Sequence, residues 1–453
     1  MTAALALGAS FVTACAADLG SGRSAGKPRS ARATPVPPVL FTNVNVFTGN
    51  SLSLDRGMSV LVKDGLIAEV RSGNIGAPAG AITLDGGGRT LMPGLIDNHV
   101  HLFLSASTLN QLMDPGSDPD ELTARARDEA HRMLLRGFTS VRDMGGPVFG
   151  IKRAIDSGDA IGPRIYPSGA MISQTSGHGD FRAPDDKARR FGGQPSVGER
   201  LGIGFIADGR DDVLTAVREN LRAGASQIKL MAGGGVVSAY DPLDVTQYTL
   251  EELTAAVEAT TDWNTYVAVH AYTPKAVRRS VQAGVACIEH GQLLDEPTMQ
   301  LLADKGIWLS LQAFDDALPD GDEFKKAKMR MVAEGTDNAF RWARKYGVKV
   351  AFGTDILLEP EQTVTQNSHF TKLNKWFTDA EALRVATHDN AQLLALSGPR
   401  NPYPGKLGVV EPGAYADLLL VDGDPTTNLA LIGNPDNFRV IMKDGQVFKN
   451  TVT

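Results

Sequence analysis

The feature that most constrains this chain is a unit that recurs between residues 92 and 403, in which a short apolar run is followed by a helical pattern. Eight of the runs read as strands: Gly94–Leu102, Thr139–Asp143, Ile165–Ile172, Gln227–Met231, Tyr266–Ala271, Ala286–His290, Trp308–Gln312 and Val350–Asp355. Helical segments with caps or glycine stops separate them. Thr273-Pro274, followed by 275–283 and Gly284, is a clear case. Such alternation is the pattern of βα units around a parallel sheet. Eight units predict an α/β fold of the (β/α)8 TIM-like barrel type, whose functional residues gather at the C-terminal strand ends. The stretch from Gln174 to Gly209 lacks this periodicity and is expected to overhang that end as an irregular lid.

The two ends of the chain read differently. Strand-like runs at Leu40–Phe47, Met58–Lys63 and Leu66–Val70, with Asp64-Gly65 as a hairpin turn, are matched by Asp417–Val421, Val440–Lys443 and Gln446–Lys449 around Asp444-Gly445. Neither set suffices alone, so 39–91 and 404–453 are expected to form one composite β-sandwich beside the barrel of 92–403. Residues 1–15 read as an export signal: Ala3 to Ala14 are apolar or small and too few to span a bilayer. Val12-Thr13-Ala14-Cys15 fits a bacterial lipobox, with Cys15 as lipid anchor, and Ala14-Cys15-Ala16 fits a plain cleavage site. Both readings imply export, to the periplasm or membrane in one case and by secretion in the other. Residues 16–38, rich in Gly, Ser, Pro and Arg, read as a flexible tether. The net charge of −7 and the absence of a basic block with aromatics argue against nucleic acid as a partner. Cys287, the other cysteine, lies in an apolar run and reads as a small buried hydrophobe.

The polar residues carry the chemistry. His99 and His101 end the first run, and their i, i+2 spacing puts both imidazoles on one face. Lys229 interrupts the fourth run, His270 and His290 close the fifth and sixth, and Asp355 closes the eighth. One histidine at a strand end is most often a hydrogen-bonded core residue. Six ligand-capable residues at the same end of one barrel point instead to a metal centre. His131, His369 and His388 lie in helical or irregular stretches and read as structural. Arg142 and Asp143 are placed to support the site from behind.

The run Leu91-Met92-Pro93-Gly94-Leu95-Ile96-Asp97-Asn98-His99-Val100-His101-Leu102 resembles the first-strand signature of the amidohydrolase superfamily, and the whole set resembles its binuclear, carboxylated-lysine subtype. That resemblance implies two divalent metal ions, zinc foremost, with His99, His101 and Asp355 on one, His270 and His290 on the other, and a CO2-derived carbamate of Lys229 bridging both. Asp355 would serve as general base and then general acid. The resemblance also implies a homo-oligomer, an octamer in some relatives.

Ser176-Gly177-His178-Gly179-Asp180 looks like a motif of the imidazolonepropionase-like and Xaa-Pro or Xaa-Arg dipeptidase branches, with His178 directed at the substrate carbonyl or oxyanion. Tyr240, after the glycines at 233–235, and Arg182 are further candidates for substrate contact. The chain is also similar to bacterial amidohydrolases that degrade ochratoxin A. The expected partner is therefore a small-molecule amide ending in an amino acid, in a dipeptide, an N-acyl amino acid or ochratoxin A. The alternatives are a cyclic amidase or lactam hydrolase, and a metal- or ligand-binding lipoprotein without turnover.

Overall fold

The computed structural model describes residues 36–314 and 323–452. The export segment, Cys15 and the tether up to residue 35 lie outside the described residues. Among those described, no helix is long and apolar enough to cross a membrane.

Five strands open the chain: β1 (Val39–Phe47), β2 (Leu54–Lys63), β3 (Leu66–Ser72), β4 (Ile82–Asp85) and β5 (Thr90–Pro93). The interior adds β6 (Leu95–Val100), β7 (Phe138–Asp143), β8 (Arg164–Pro167), β9 (Met171–Ser173), β10 (Gly204–Ile206), β11 (Ile228–Met231), β12 (Val267–Ala271), β13 (Cys287–His290), β14 (Trp308–Leu311) and β15 (Lys349–Phe352). Three more close it: β16 (Leu418–Val421), β17 (Phe438–Lys443) and β18 (Gln446–Asn450). The terminal sets do not stack as separate layers joined only by packing. They share one eight-stranded sheet in the order β18-β17-β16-β5-β1-β2-β3, with β4 also on β1. The junction is the antiparallel pair of β5 and β16. Both predicted hairpin turns are present, with positive φ at Asp64-Gly65 and Asp444-Gly445.

The interior strands pair in parallel, as β6-β7-β8 and as β10-β9-β11-β12-β13-β14-β15. Strands β11 to β14 are buried at every residue, which is why they read as unbroken apolar runs. The predicted third strand is split: the chain bends at Gly169, leaving β8 in one sheet and β9 in the other. The gap is bridged by Ser226, whose N–H donates to Pro167 O (2.7 Å), and by Gln227 Nε2, which donates to Tyr166 O (2.9 Å). At the other seam, the Asp355 N–H donates to His99 O (2.8 Å). The Asn390 amide donates to Ile96 O (2.7 Å) and Phe352 O (2.9 Å), tying β6 to β15. Gly353 abuts His99 so closely that a Cβ would lie 2.4 Å from the His99 Cβ, so only glycine allows this approach.

Three boundaries differ from expectation. Strand β6 stops at Val100 and the helix Leu102–Ser105 follows at once, so His101 sits at the turn between them rather than within the strand. The segment 174–209 is not wholly irregular: it holds a short helix, Val197–Leu201, and β10, which extends the sheet beside β9. Strand β15 stops at Phe352, so Asp355 sits beyond the strand rather than at its last position. The helix Pro274–Ala283 forms as read, with proline in its first turn and Gly284 at its end.

Candidate active site

The carboxyl ends of the parallel strands open into a cavity of about 290 Å³ lined by His99, His101, Lys229, His270, His290 and Asp355, with His178 beside them. Strand geometry explains the convergence: the six donors come from five strands or the turns that leave them, His99 and His101 both from β6 and its turn. The Nε2 atoms of His99 and His101 lie 3.3 and 3.4 Å from Asp355 Oδ1. One ligand atom from each of these three residues falls within 4.8 Å of the others. Lys229 Nζ is 3.5 Å from His99 Nε2. The His290 ring is 4.4 Å from that of His270 and 5.1 Å from that of His99, centroid to centroid.

His290 and Asp355 both have left-handed backbones, with φ of 79° and 55°. Such conformations cost non-glycine residues roughly 1–3 kcal/mol and persist where surrounding contacts enforce them, often at functional sites. Here the hydrogen bond from Asp355 N–H to His99 O and that from Gly291 N–H to Ala271 O (3.0 Å) do so.

A second layer fixes the proton on each ring. His99 Nδ1 is 2.8 Å from Glu289 Oε2, His101 Nδ1 is 3.1 Å from Gly145 O, and His290 Nδ1 is 2.7 Å from Gln312 Oε1. His270 is turned the other way, with Nε2 3.0 Å from Gly234 O. Carbonyl and amide oxygens face His101 Nδ1, His290 Nδ1 and His270 Nε2, so those nitrogens carry hydrogen, and the Glu289 carboxylate favours the same at His99 Nδ1. The opposite nitrogens, Nε2 on three rings and Nδ1 on His270, keep their lone pairs. Glu289 is itself held by Arg142, whose Nη2 donates to Oε1 (2.7 Å) and whose Nε donates to Asn98 O (2.7 Å). Asp97 accepts from the backbone N–H groups of His99 and Thr354 (3.1 Å each), locking β6 to the turn after β15.

Burial sets the charges. It lowers His99 to about 4, with Lys229 adding to the effect, and holds His270 and His290 well below the ordinary histidine value. The Lys229 ammonium is also destabilised by burial. Burial opposes ionisation of Glu289 and Asp355 too, but Arg142 overcomes it for Glu289, and His99 with His101 and His290 overcomes it for Asp355. Asp97 has no such cation, and at Asp143 His101 does not outweigh desolvation, so burial raises them to about 6 and about 7. Neutral imidazoles beside an ionised carboxylate form a donor set that fits a divalent cation.

The substrate-side expectations fare unevenly. His178 stacks on His270 with ring centroids 4.1 Å apart, and its Nδ1 is 2.6 Å from Ser238 Oγ. Arg182 does not reach the cavity: its guanidinium forks onto Asp180, with Nε to Oδ1 at 2.8 Å and Nη2 to Oδ2 at 2.6 Å. Tyr240 is 48% exposed and is absent from the cavity lining. His369, expected to be structural, lines the cavity with Lys325, Lys372 and Glu359, whereas His131 and His388 lie elsewhere. Sequence reading missed Glu289 and Gln312 as well. A glutamate inside the wholly buried run Cys287–His290 was the available signal, since such a charge requires a partner.

A buried cluster of ligand-capable side chains at the mouth of parallel strands fits a metal-dependent enzyme, and similarity to known proteins makes it a hydrolase acting on amide bonds. The chain belongs to the amidohydrolase family, whose sequence profile matches residues 90–448. It is 32% identical to ochratoxinase of Aspergillus niger over 372 residues, covering 79% of this chain and 75% of that one. Among solved structures, an amidohydrolase matches with a TM-score of 0.83 at 36% identity, covering 92% of this chain and 100% of the other. A prolidase complexed with N-methylphosphonate-L-proline matches with a TM-score of 0.82 at 33% identity, covering 91% and 100%.

Proposed function

We propose that the protein hydrolyses the amide that joins an acyl or aminoacyl group to a C-terminal amino acid, in Xaa-Pro and other dipeptides, N-acyl amino acids and ochratoxin A. The observation that carries this reading is the sharing of one cavity by six metal-ligating side chains and His178. In this reading the parallel strands of 92–403 close as a (β/α)8 barrel, with the terminal sheet as a separate domain. His99, His101 and Asp355 would hold one zinc-like ion and His270 and His290 a second, with Lys229 between the two sets. Bound there, the ions would supply Lewis acidity towards the scissile carbonyl and bring the pKa of a water towards neutrality.

The remaining chemistry belongs to the side chains. Lys229, its ammonium disfavoured by burial, adds CO2 at Nζ and releases a proton to become an anionic carbamate. Asp355, ionised through the neutral range, takes a proton from the attacking water and passes it to the leaving nitrogen. His178, with Nδ1 2.6 Å from Ser238 Oγ and 3.6 Å from the Asp241 carboxylate, hydrogen-bonds the tetrahedral oxyanion through Nε2. Lys325 and Lys372 on the cavity wall suit a substrate carboxylate, while Phe181, Tyr272, Phe314 and Met329 suit an apolar side chain.

The test is a panel of Xaa-Pro dipeptides, N-acyl amino acids and ochratoxin A with zinc-loaded protein. Release of the C-terminal amino acid is expected. Inertness towards all of them, or turnover of a lactam instead, contradicts the reading.

A further inference from the structure

Lys328, in the helix Glu323–Tyr346, is only 4% exposed and lies outside the cavity lining. Its ammonium donates to three backbone carbonyls, Gly235 O (2.8 Å), Ser238 O (2.9 Å) and Asp241 O (2.9 Å), and the Phe324 ring covers it at 4.5 Å. These three carbonyls belong to the single loop 235–241, so the ammonium gathers that loop around one point.

The loop in turn sets two rings of the site. Gly234 O accepts from His270 Nε2, and Ser238 Oγ meets His178 Nδ1. The Asp241 carboxylate accepts from Gly235 N–H (2.9 Å) and from Gln247 Nε2 (3.1 Å), and Gln247 Oε1 accepts from His178 N–H (2.9 Å). Gly235 lies flat on the His178 ring, where a Cβ would fall 1.9 Å from it. A small shift of this loop moves the imidazole. We infer that Lys328 is a positioning residue for the reaction, acting through the loop 233–241 on His178; the inference rests on the oxyanion role proposed for His178.

A double-mutant cycle tests it, on whichever amide the substrate panel turns over, with rates normalised to folded, zinc-loaded protein. Lys328→Met is expected to lower kcat by roughly 10–100-fold, the usual cost of losing an outer-layer partner, with KM moved about threefold or less. In a His178→Ala background the same substitution is expected to cost about threefold at most, because its effect passes through the missing ring. A full cost in both backgrounds, or no cost in the wild type, overturns the inference alone. Undiminished kcat in His178→Ala overturns the oxyanion role and the inference with it. If Lys328→Met does not fold, Lys328→Gln, which keeps two donors, enters the same cycle and is judged by the same outcomes.

Discussion

The floor of the cavity and its cover are built by different means. On the floor, His99, Lys229, His270 and His290 project from strands buried on both faces, and each imidazole is pinned by one acceptor behind it. On the cover, His178, Ser238, Lys325 and His369 come from turns and helices, and their placement depends on loop-to-loop contacts such as the three carbonyls around Lys328. Sheet periodicity therefore dictates the floor, while the cover is decided by which of several polar partners captures each side chain. Arg182 shows the difference, since Asp180 two residues away takes the guanidinium a substrate carboxylate could have used.

The sharpest way to break this contrast is at the floor. Asp355→Asn should lower kcat about 1000-fold, within the range expected for losing a general acid–base group, while metal stays bound. Retained turnover, measured with metal content on the same sample, would move proton transfer elsewhere. One layer down, Arg142→Met leaves the Glu289 carboxylate buried without its guanidinium and should cost roughly 3–5 kcal/mol in chemical denaturation. A loss below about 1 kcal/mol would mean that the layer behind His99 is not the support described here.

Acid sharpens the comparison further. Burial holds His270 well below its ordinary value of 6.5, so in metal-free protein the unfolded chain binds this proton first as the pH falls. The contribution of a neutral His270 is intact above about 6.5 and declines as the medium becomes more acidic. The melting temperature of metal-free His270→Gln should therefore gain on the wild type between about pH 7.5 and pH 5. A constant gap, or one moving the other way, contradicts the burial argument. The smallest effect belongs to the cover: Tyr240→Phe should leave kcat/KM within about twofold, because an exposed side chain away from the site contributes little. A tenfold loss would show that the ring enters the cavity when substrate binds.

Much of the floor was legible because parallel strands write themselves as apolar runs in which a histidine or lysine stands out. The position of Asp355 was readable to within the turn that follows β15, but its left-handed backbone was not. The terminal hairpins and the combination of both ends were equally plain, while its form, a single sheet paired through β5 and β16, depends on long-range pairing that local pattern does not encode. The cover resisted for the same reason. Nothing near His369 in sequence marks it as facing the cavity, and the link from Lys328 to Gly235 spans 93 residues. Glu289 was within reach, since a carboxylate in an unbroken buried strand announces a buried cation.

Four imidazoles, Asp355 and Lys229 are proposed to hold a pair of ions, and elemental analysis of the purified chain after expression with ample zinc and bicarbonate decides whether they do. Two equivalents of divalent metal per chain are predicted, falling to about one or fewer in Lys229→Met. A folded wild-type protein that stays metal-free under saturating zinc would contradict that proposal.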